Sequence, residues 1–226
     1  LKTADYLIQG LKSEFSYAEL LSANFTEDEL KSSGVFPSMN NNIIRIAVAL
    51  WCSNQSEAAR AYGHISQWDT SNVTVMTNLF KDKADFNDDI GQWDTSNVTV
   101  MHGMFFGATA FNQTIGGWNV SQVTDMSSMF RDATSFNQAI GQWDVSRVTN
   151  MGGMFWDAIA FNQTIGQWDV SQVTSMNGMF YGATAFNQTI GGWNVSHVID
   201  ISGMFWDATA FNQAIGEWDV SRVTNM

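Results

Sequence analysis

Apolar positions in this chain recur with a period of 25 residues. Tryptophan stands at Trp68, Trp93, Trp118, Trp143, Trp168, Trp193 and Trp218 without a slip in register. Around each runs the same order of apolar and polar residues. One copy reads Ile115-Gly116-Gly117-Trp118-Asn119-Val120-Ser121-Gln122-Val123-Thr124-Asp125-Met126-Ser127-Ser128-Met129-Phe130. Self-similarity at a fixed period of this size signals stacked repeats, so chain length counts units and not globules.

Two spacings alternate inside the unit. Val123, Met126, Met129 and Phe130 fall at i, i+3, i+6 and i+7, which predicts one face of a short helix. Ser121 sits two residues ahead of Val123, where an N-cap belongs, and serine fills that position in every copy. The stretch from Phe111 through Ile115 to Trp118 and Val120 is aromatic and β-branched without helical spacing, which predicts a strand. Gly107-Ala108-Thr109 reads as the return loop. A unit of this length and content predicts an α/β repeat solenoid. It would be a leucine-rich-repeat-like, right-handed coil of 25-residue strand–helix units with a helical N-terminal cap. Parallel strands about 4.8 Å apart would make seven such units span roughly 30 Å.

The organisation expected along the chain has three parts. Residues 1–41 form a short helical non-repeat segment and linker, in which Ser16-x-x-Glu19 and Thr26-x-x-Glu29 read as capping boxes and Pro37 lies in the linker. Residues 42–63 form the helical cap, because Ile43 to Trp51 is apolar nearly all round and Gly63 ends a second helix. Residues 64–226 form the repeats, about 6.5 of them, and Met226 falls inside a unit, so the natural protein is expected to continue. The chain starts at Leu1 and not at methionine, so the lack of a visible signal peptide carries no weight.

Composition narrows the function classes. The formal net charge is −12, mostly from the repeats, which disfavours nucleic acid as a partner. Cys52 is the only cysteine, so no disulfide framework exists within the chain. No apolar run reaches the ~20 residues that span a bilayer. Sequons at Asn24, Asn54, Asn72, Asn97, Asn112, Asn119, Asn162, Asn187 and Asn194 lean toward secretion, though most are copies of a repeat position and so are not independent.

The pattern Phe-Asn-Gln-x-Ile-Gly-x-Trp-Asp-Val-Ser-x-Val-Thr-x-Met-x-x-Met-Phe-x-x-Ala resembles the BspA-like bacterial surface-protein repeat, also seen in Mycoplasma lipoproteins and marine microalgae. The resemblance covers about 64–226, and Ile46-x-x-Ala49-x-x-Trp51 with Tyr62-Gly63-His64-Ile65 resembles the segment that precedes such arrays. It implies a leucine-rich-repeat-like fold, a cell-surface or secreted location, and roles in adhesion or binding.

Several columns invite chemistry. Met-x-x-Met-Phe and the tryptophans read as core. The column Asp69, Asp94, Asn119, Asp144, Asp169, Asn194 and Asp219 alternates away from the core and reads as a turn-stabilising ladder. It lacks the six or more oxygens that calcium wants, so no metal and no cofactor is expected. His64, His102 and His197 occupy different repeat positions, and no nucleophile elbow or phosphate loop appears, so no catalytic residue is expected.

The column right after each core phenylalanine differs. It reads Lys81, Phe106, Arg131, Trp156, Tyr181 and Trp206, varying where its neighbours repeat. Stacked in register, Phe106, Arg131, Trp156, Tyr181 and Trp206 would form an edge stripe rich in the residue types that dominate interaction surfaces. The expectation is a non-enzymatic, extracellular or cell-surface module for protein–protein interaction or adhesion. Alternatives are a carbohydrate-binding module using exposed rings, or a structural subunit docked in a larger assembly. Ice or crystal-surface binding through Thr74, Thr99, Thr124, Thr149 and Thr174 ranks lower, because those threonines are expected in the helical segment.

Overall fold

A computed structural model of the chain describes residues 2–11 and 15–226. Of the segment 1–41, residues 1 and 12–14 therefore lie outside the described residues. Helices α1 (Lys2–Leu11), α2 (Tyr17–Ser22) and α3 (Glu27–Ser32) come first. Both capping boxes form: the Ser16 and Thr26 amides donate to the carboxylates of Glu19 and Glu29 at 2.8 and 2.9 Å. Each hydroxyl in turn accepts its partner's amide, which satisfies donors the first helical turn leaves free. Ile8, Leu20 and Leu30 make a small core of their own.

Helices α4 (Ile43–Ser53) and α5 (Gln55–Tyr62) follow. In α4 the buried residues are Ile44, Ala47, Val48 and Trp51, a single face at i, i+3, i+4 and i+7. Ile46, on another side of the helix, is 60% exposed. The helix is thus not enclosed all round as its composition suggests, because covering the end of a stack takes one apolar face. The stack is also joined before residue 42. The Met39 amide donates to the Asp69 carbonyl at 2.7 Å, and Asn40 bridges Asn72 in parallel. Asn41 Oδ1 accepts the amides of Thr74 and Val75 at 2.9 and 3.1 Å. Residues 39–41, expected as linker, pair with the first coil.

Beyond the 3-10 turn Ile65–Gln67 there is no helix among the described residues. Successive 25-residue coils are tied by single parallel bridges, Val75 to Val100, Val100 to Asp125, and so on to Asn225. Past each bridge, alternate amides reach the next coil. Met76, Asn78, Phe80 and Asp82 donate to the carbonyls of Val100, His102, Met104 and Phe106 at 2.7 to 2.9 Å. The amides between them turn back on their own coil: Leu79 donates to the Met76 carbonyl and Lys83 to that of Phe80, at 3.2 and 3.1 Å. Each of these two turns carries a left-handed residue at its third position, Asn78 (φ 56) and Asp82 (φ 58). That is the type II signature, which favours Gly and Asn.

Two expected elements are therefore corrected. Residues 123–130 are not a capped helix, because half their amides are spent on the neighbouring coil and cannot bond four residues back. Ser121 is not an N-cap either; its amide and hydroxyl both donate to Asn119 Oδ1, at 3.1 and 2.7 Å. Nor is 111–120 a regular strand. Side chains make its links between coils: the Asn112 amide donates to Asn87 Oδ1 at 2.9 Å, and Gln113 Nε2 to the Asn87 carbonyl at 2.7 Å. Trp118 Nε1 donates to the Ile90 carbonyl at 3.2 Å, and every later core tryptophan makes the same bond 28 residues back.

One apolar core runs unbroken from Met39 to Trp218. Its rings stack coil on coil: Phe105 and Phe130 at 5.6 Å and 4° between planes, Trp118 and Trp143 at 6.5 Å and 1°. Within a coil, Phe130 lies 3.9 Å from Phe136. Stacked rings inside and hydrogen-bonded turns outside hold the coils in register, which positions the edge described next.

Candidate partner-binding surface

The position after each core phenylalanine projects from the second tight turn, just before the left-handed residue at Asp82, Gly107, Asp132, Asp157, Gly182 or Asp207. Its side chains meet in one row. Lys81 Nζ lies 4.8 Å from the centre of the Phe106 ring, and the Arg131 guanidinium lies 5.4 Å from it. The same guanidinium is 4.4 Å from the Trp156 ring. Trp156 stacks on Tyr181 at 4.1 Å and 17°, and Tyr181 on Trp206 at 6.3 Å and 6°. The structure thus brings together all five sequence-chosen residues, with Lys81 at one end. Phe106, Arg131, Trp156 and Tyr181 are half-buried, whereas Trp206 is 63% exposed.

The floor beneath the row explains one glycine. Gly178 has φ +56, and a Cβ there would lie 2.7 Å from the Trp156 ring. Trp156 can lie flat only because no side chain stands under it.

Stacking decides which parts of the row meet solvent. Phe106, Trp156 and Tyr181 each have a cation or a neighbouring ring against their faces, which leaves mainly their edges for solvent. Ring edges carry the positive end of the aromatic quadrupole. Arg131 makes one polar contact: its Nε lies 3.6 Å from Asp132 Oδ2 and is otherwise buried without a hydrogen bond. Burial pushes the Asp132 carboxyl above its ordinary value, against the pull of Arg131.

The other sequence candidates fall elsewhere. In the Asp/Asn column, Asp69, Asp94, Asp144, Asp169 and Asp219 each accept the amide two residues on through Oδ1. The Ser96 hydroxyl, then its amide, holds the Asp94 carboxyl below its usual range, and Ser146 does the same for Asp144. No group of three or more His, Cys, Asp and Glu suited to a metal occurs among the described residues. The threonine column, expected in a helix, lies exposed beside the bridges instead. The Thr99 amide and hydroxyl both donate to the Thr74 carbonyl, at 2.8 and 3.2 Å.

Sequence reasoning missed one side-chain cluster. His102 Nδ1 lies 2.7 Å from Ser127 Oγ, which donates to Asp125 Oδ1 at 2.6 Å. The partners are 25 residues apart, so only the coil register could have revealed it. A hydroxyl has one proton, and here Asp125 takes it. Cys52 lines a cleft of about 410 Å³ with Trp51, Gln55, Asp82, Lys83 and Asp88. Although open to solvent on one side, its thiol is raised by partial burial, which suppresses the thiolate.

Coils repeated in register with one variable edge define a tandem-repeat protein. The chain belongs to the family described as "Mycoplasma protein of unknown function, DUF285", which matches it over residues 52–147 and again over 135–226. No curated protein and no solved structure matches it. No described helix is long and apolar enough to cross a membrane.

Proposed function

We propose that this chain is a non-catalytic binding module, exposed outside the cell or at its surface. It engages a protein partner through Phe106, Arg131, Trp156, Tyr181 and Trp206. The observation that carries this reading is the continuous row from Lys81 to Trp206, whose contacts between neighbours run from 4.1 to 6.3 Å. A row held by its own stacking is already ordered, so a partner meets it at little conformational cost. Aromatic and Arg enrichment suits a protein interface.

Carbohydrate is the weaker ligand in this reading, because a sugar stacks on a ring face and most of these faces are covered. Catalysis is disfavoured by the direction of the Ser127 proton, which goes to Asp125 and not to His102. The architecture is proposed as a leucine-rich-repeat-like, right-handed solenoid of the BspA-like kind. The surface location rests on that likeness together with membership of a Mycoplasma repeat family.

The test is capture of partners from the native source by the wild-type chain and by W156A/W206A. The double variant should lose a partner that the wild type retains, while remaining folded by circular dichroism. Equal capture by both would overturn it.

A further inference from the structure

The cationic end of the row contains a cleft of about 140 Å³, lined by Asn78, Lys81, His102, Gly103, Phe106, Ser128 and Arg131. In a chain of net charge −12, this lining gathers two cations and a histidine and includes no carboxylate. Asp82 and Asp132 follow the two cations in sequence, but neither lines the cleft.

Arg131 is placed to hold an oxyanion. Its guanidinium lies between the Phe106 and Trp156 rings, 5.4 and 4.4 Å from their centres. Burial of Nε between these contacts leaves the two Nη groups, which make no hydrogen bond, as the open donors, and a pair of guanidinium N–H groups can grip a carboxylate with two bonds. Its one polar neighbour is Asp132, 3.6 Å from Nε and too far for a good hydrogen bond. Lys81 touches the other face of Phe106 and pairs with no carboxylate among the described residues. Open to solvent on one side, the cleft has room for a carboxylate and some of its water.

We propose that this cleft is the anion subsite of the partner-binding row, and that it receives the carboxylate of an acidic side chain on a protein partner. The assignment rests on the row being the partner surface, and it names the chemistry that the partner must present there. Lys81 supplies a point charge, Arg131 the two-pronged hydrogen bond, and Asn78 and Ser128 further polar contacts. The adjacent ring edges then meet the partner's carbonyl oxygens.

The test uses acetate as probe on the full chain at constant ionic strength, with chloride and sulfate as parallel arms. The Arg131 Nε–H and Lys81 Cε–H resonances are followed by NMR. Acetate should shift both along one saturating curve, and K81Q/R131Q should weaken that binding at least ten-fold without moving the melting temperature. R131K keeps the charge but loses the fork, so it should fall between the two. A shift that is linear and matches chloride overturns the site. Saturation by sulfate alone overturns the carboxylate assignment, and an unchanged curve in K81Q/R131Q overturns the residues. Because no partner is present in the titration, its failure is separable from that of W156A/W206A.

Discussion

Gly116 lies so close beneath the Ala139 carbonyl oxygen of the next coil that a Cβ on it would come within 2.4 Å. The same approach recurs at Gly91, Gly141, Gly166 and Gly191, each against the residue 23 positions on. Gly117, its neighbour in sequence, has nothing within 4 Å. The two glycines should therefore respond oppositely. Gly116→Ala forces the coils apart and should cost about 1–3 kcal/mol, the usual range for overpacking. Gly117→Ala meets no atom and has no left-handed φ, so it should be neutral or stabilise by up to about 1 kcal/mol. Urea unfolding of the two variants measures both.

Trp156 and Gly178 should be coupled. Gly178→Ala meets the Trp156 ring at 2.7 Å and also places a side chain at φ +56. The ring clash disappears in a Trp156→Ala background, while the backbone strain remains. A double-mutant cycle should therefore show Gly178→Ala costing less, by roughly 0.5–3 kcal/mol, when Trp156 is absent. Strict additivity would mean that the tryptophan does not rest on that glycine.

Acid should weaken the fold partly through the Asp/Ser turns. Asp94 and Asp144 have carboxyls lowered by the hydroxyl and amide of the serine two residues on. A lowered folded value means that the contribution is present above the unfolded carboxylate range, about 3.9. It is lost as pH falls through the folded value. Asn119 and Asn194 make the same bond without titrating, at 3.1 and 3.2 Å. D94N/D144N should thus lose less melting temperature than the wild type between pH 5 and pH 3. Asp132, raised by burial, acts in the opposite direction, so the difference between the two proteins is the informative quantity.

Asn137 Oδ1 accepts both the Asn162 amide and Gln163 Nε2, each at 2.9 Å. Asn137→Ala removes both bonds and should cost about 1–3 kcal/mol. Asn137→Asp keeps an acceptor oxygen and should cost less. Thermal unfolding of the two variants near neutral pH separates these outcomes.

Much of the arrangement is legible in the sequence. The 25-residue register, the burial of Trp118 and its copies, and the meeting of Phe106, Arg131, Trp156, Tyr181 and Trp206 all follow from repetition. The local backbone is not legible in the same way. Val123, Met126, Met129 and Phe130 have helical spacing, yet a run of tight turns places residues three apart on one side just as well. The signal that separates the two lies at the turn positions. The columns Asn78, Gly103, Ser128, Gly153, Gly178, Gly203 and Asp82, Gly107, Asp132, Asp157, Gly182, Asp207 hold mostly the residue types that tolerate a left-handed backbone. Phe111 to Val120 misleads for the converse reason. Its β-forming residues fill the core, while Asn and Gln side chains replace the backbone ladder. The cleft at Lys81, His102 and Arg131 could be found only once coils were laid on one another.

The tryptophans of the repeats are of two kinds. Trp93, Trp118, Trp143, Trp168, Trp193 and Trp218 are buried, with each indole N–H bonded to a carbonyl 28 residues back. Trp156 and Trp206 stand in the outer row. Hydrogen exchange of the indole N–H groups, resolved by NMR, tests this most directly. The first set should exchange far more slowly than Trp156 and Trp206. Fast exchange across the first set, or equal protection of Trp156 and Trp206, would contradict the stacking and the binding surface built upon it.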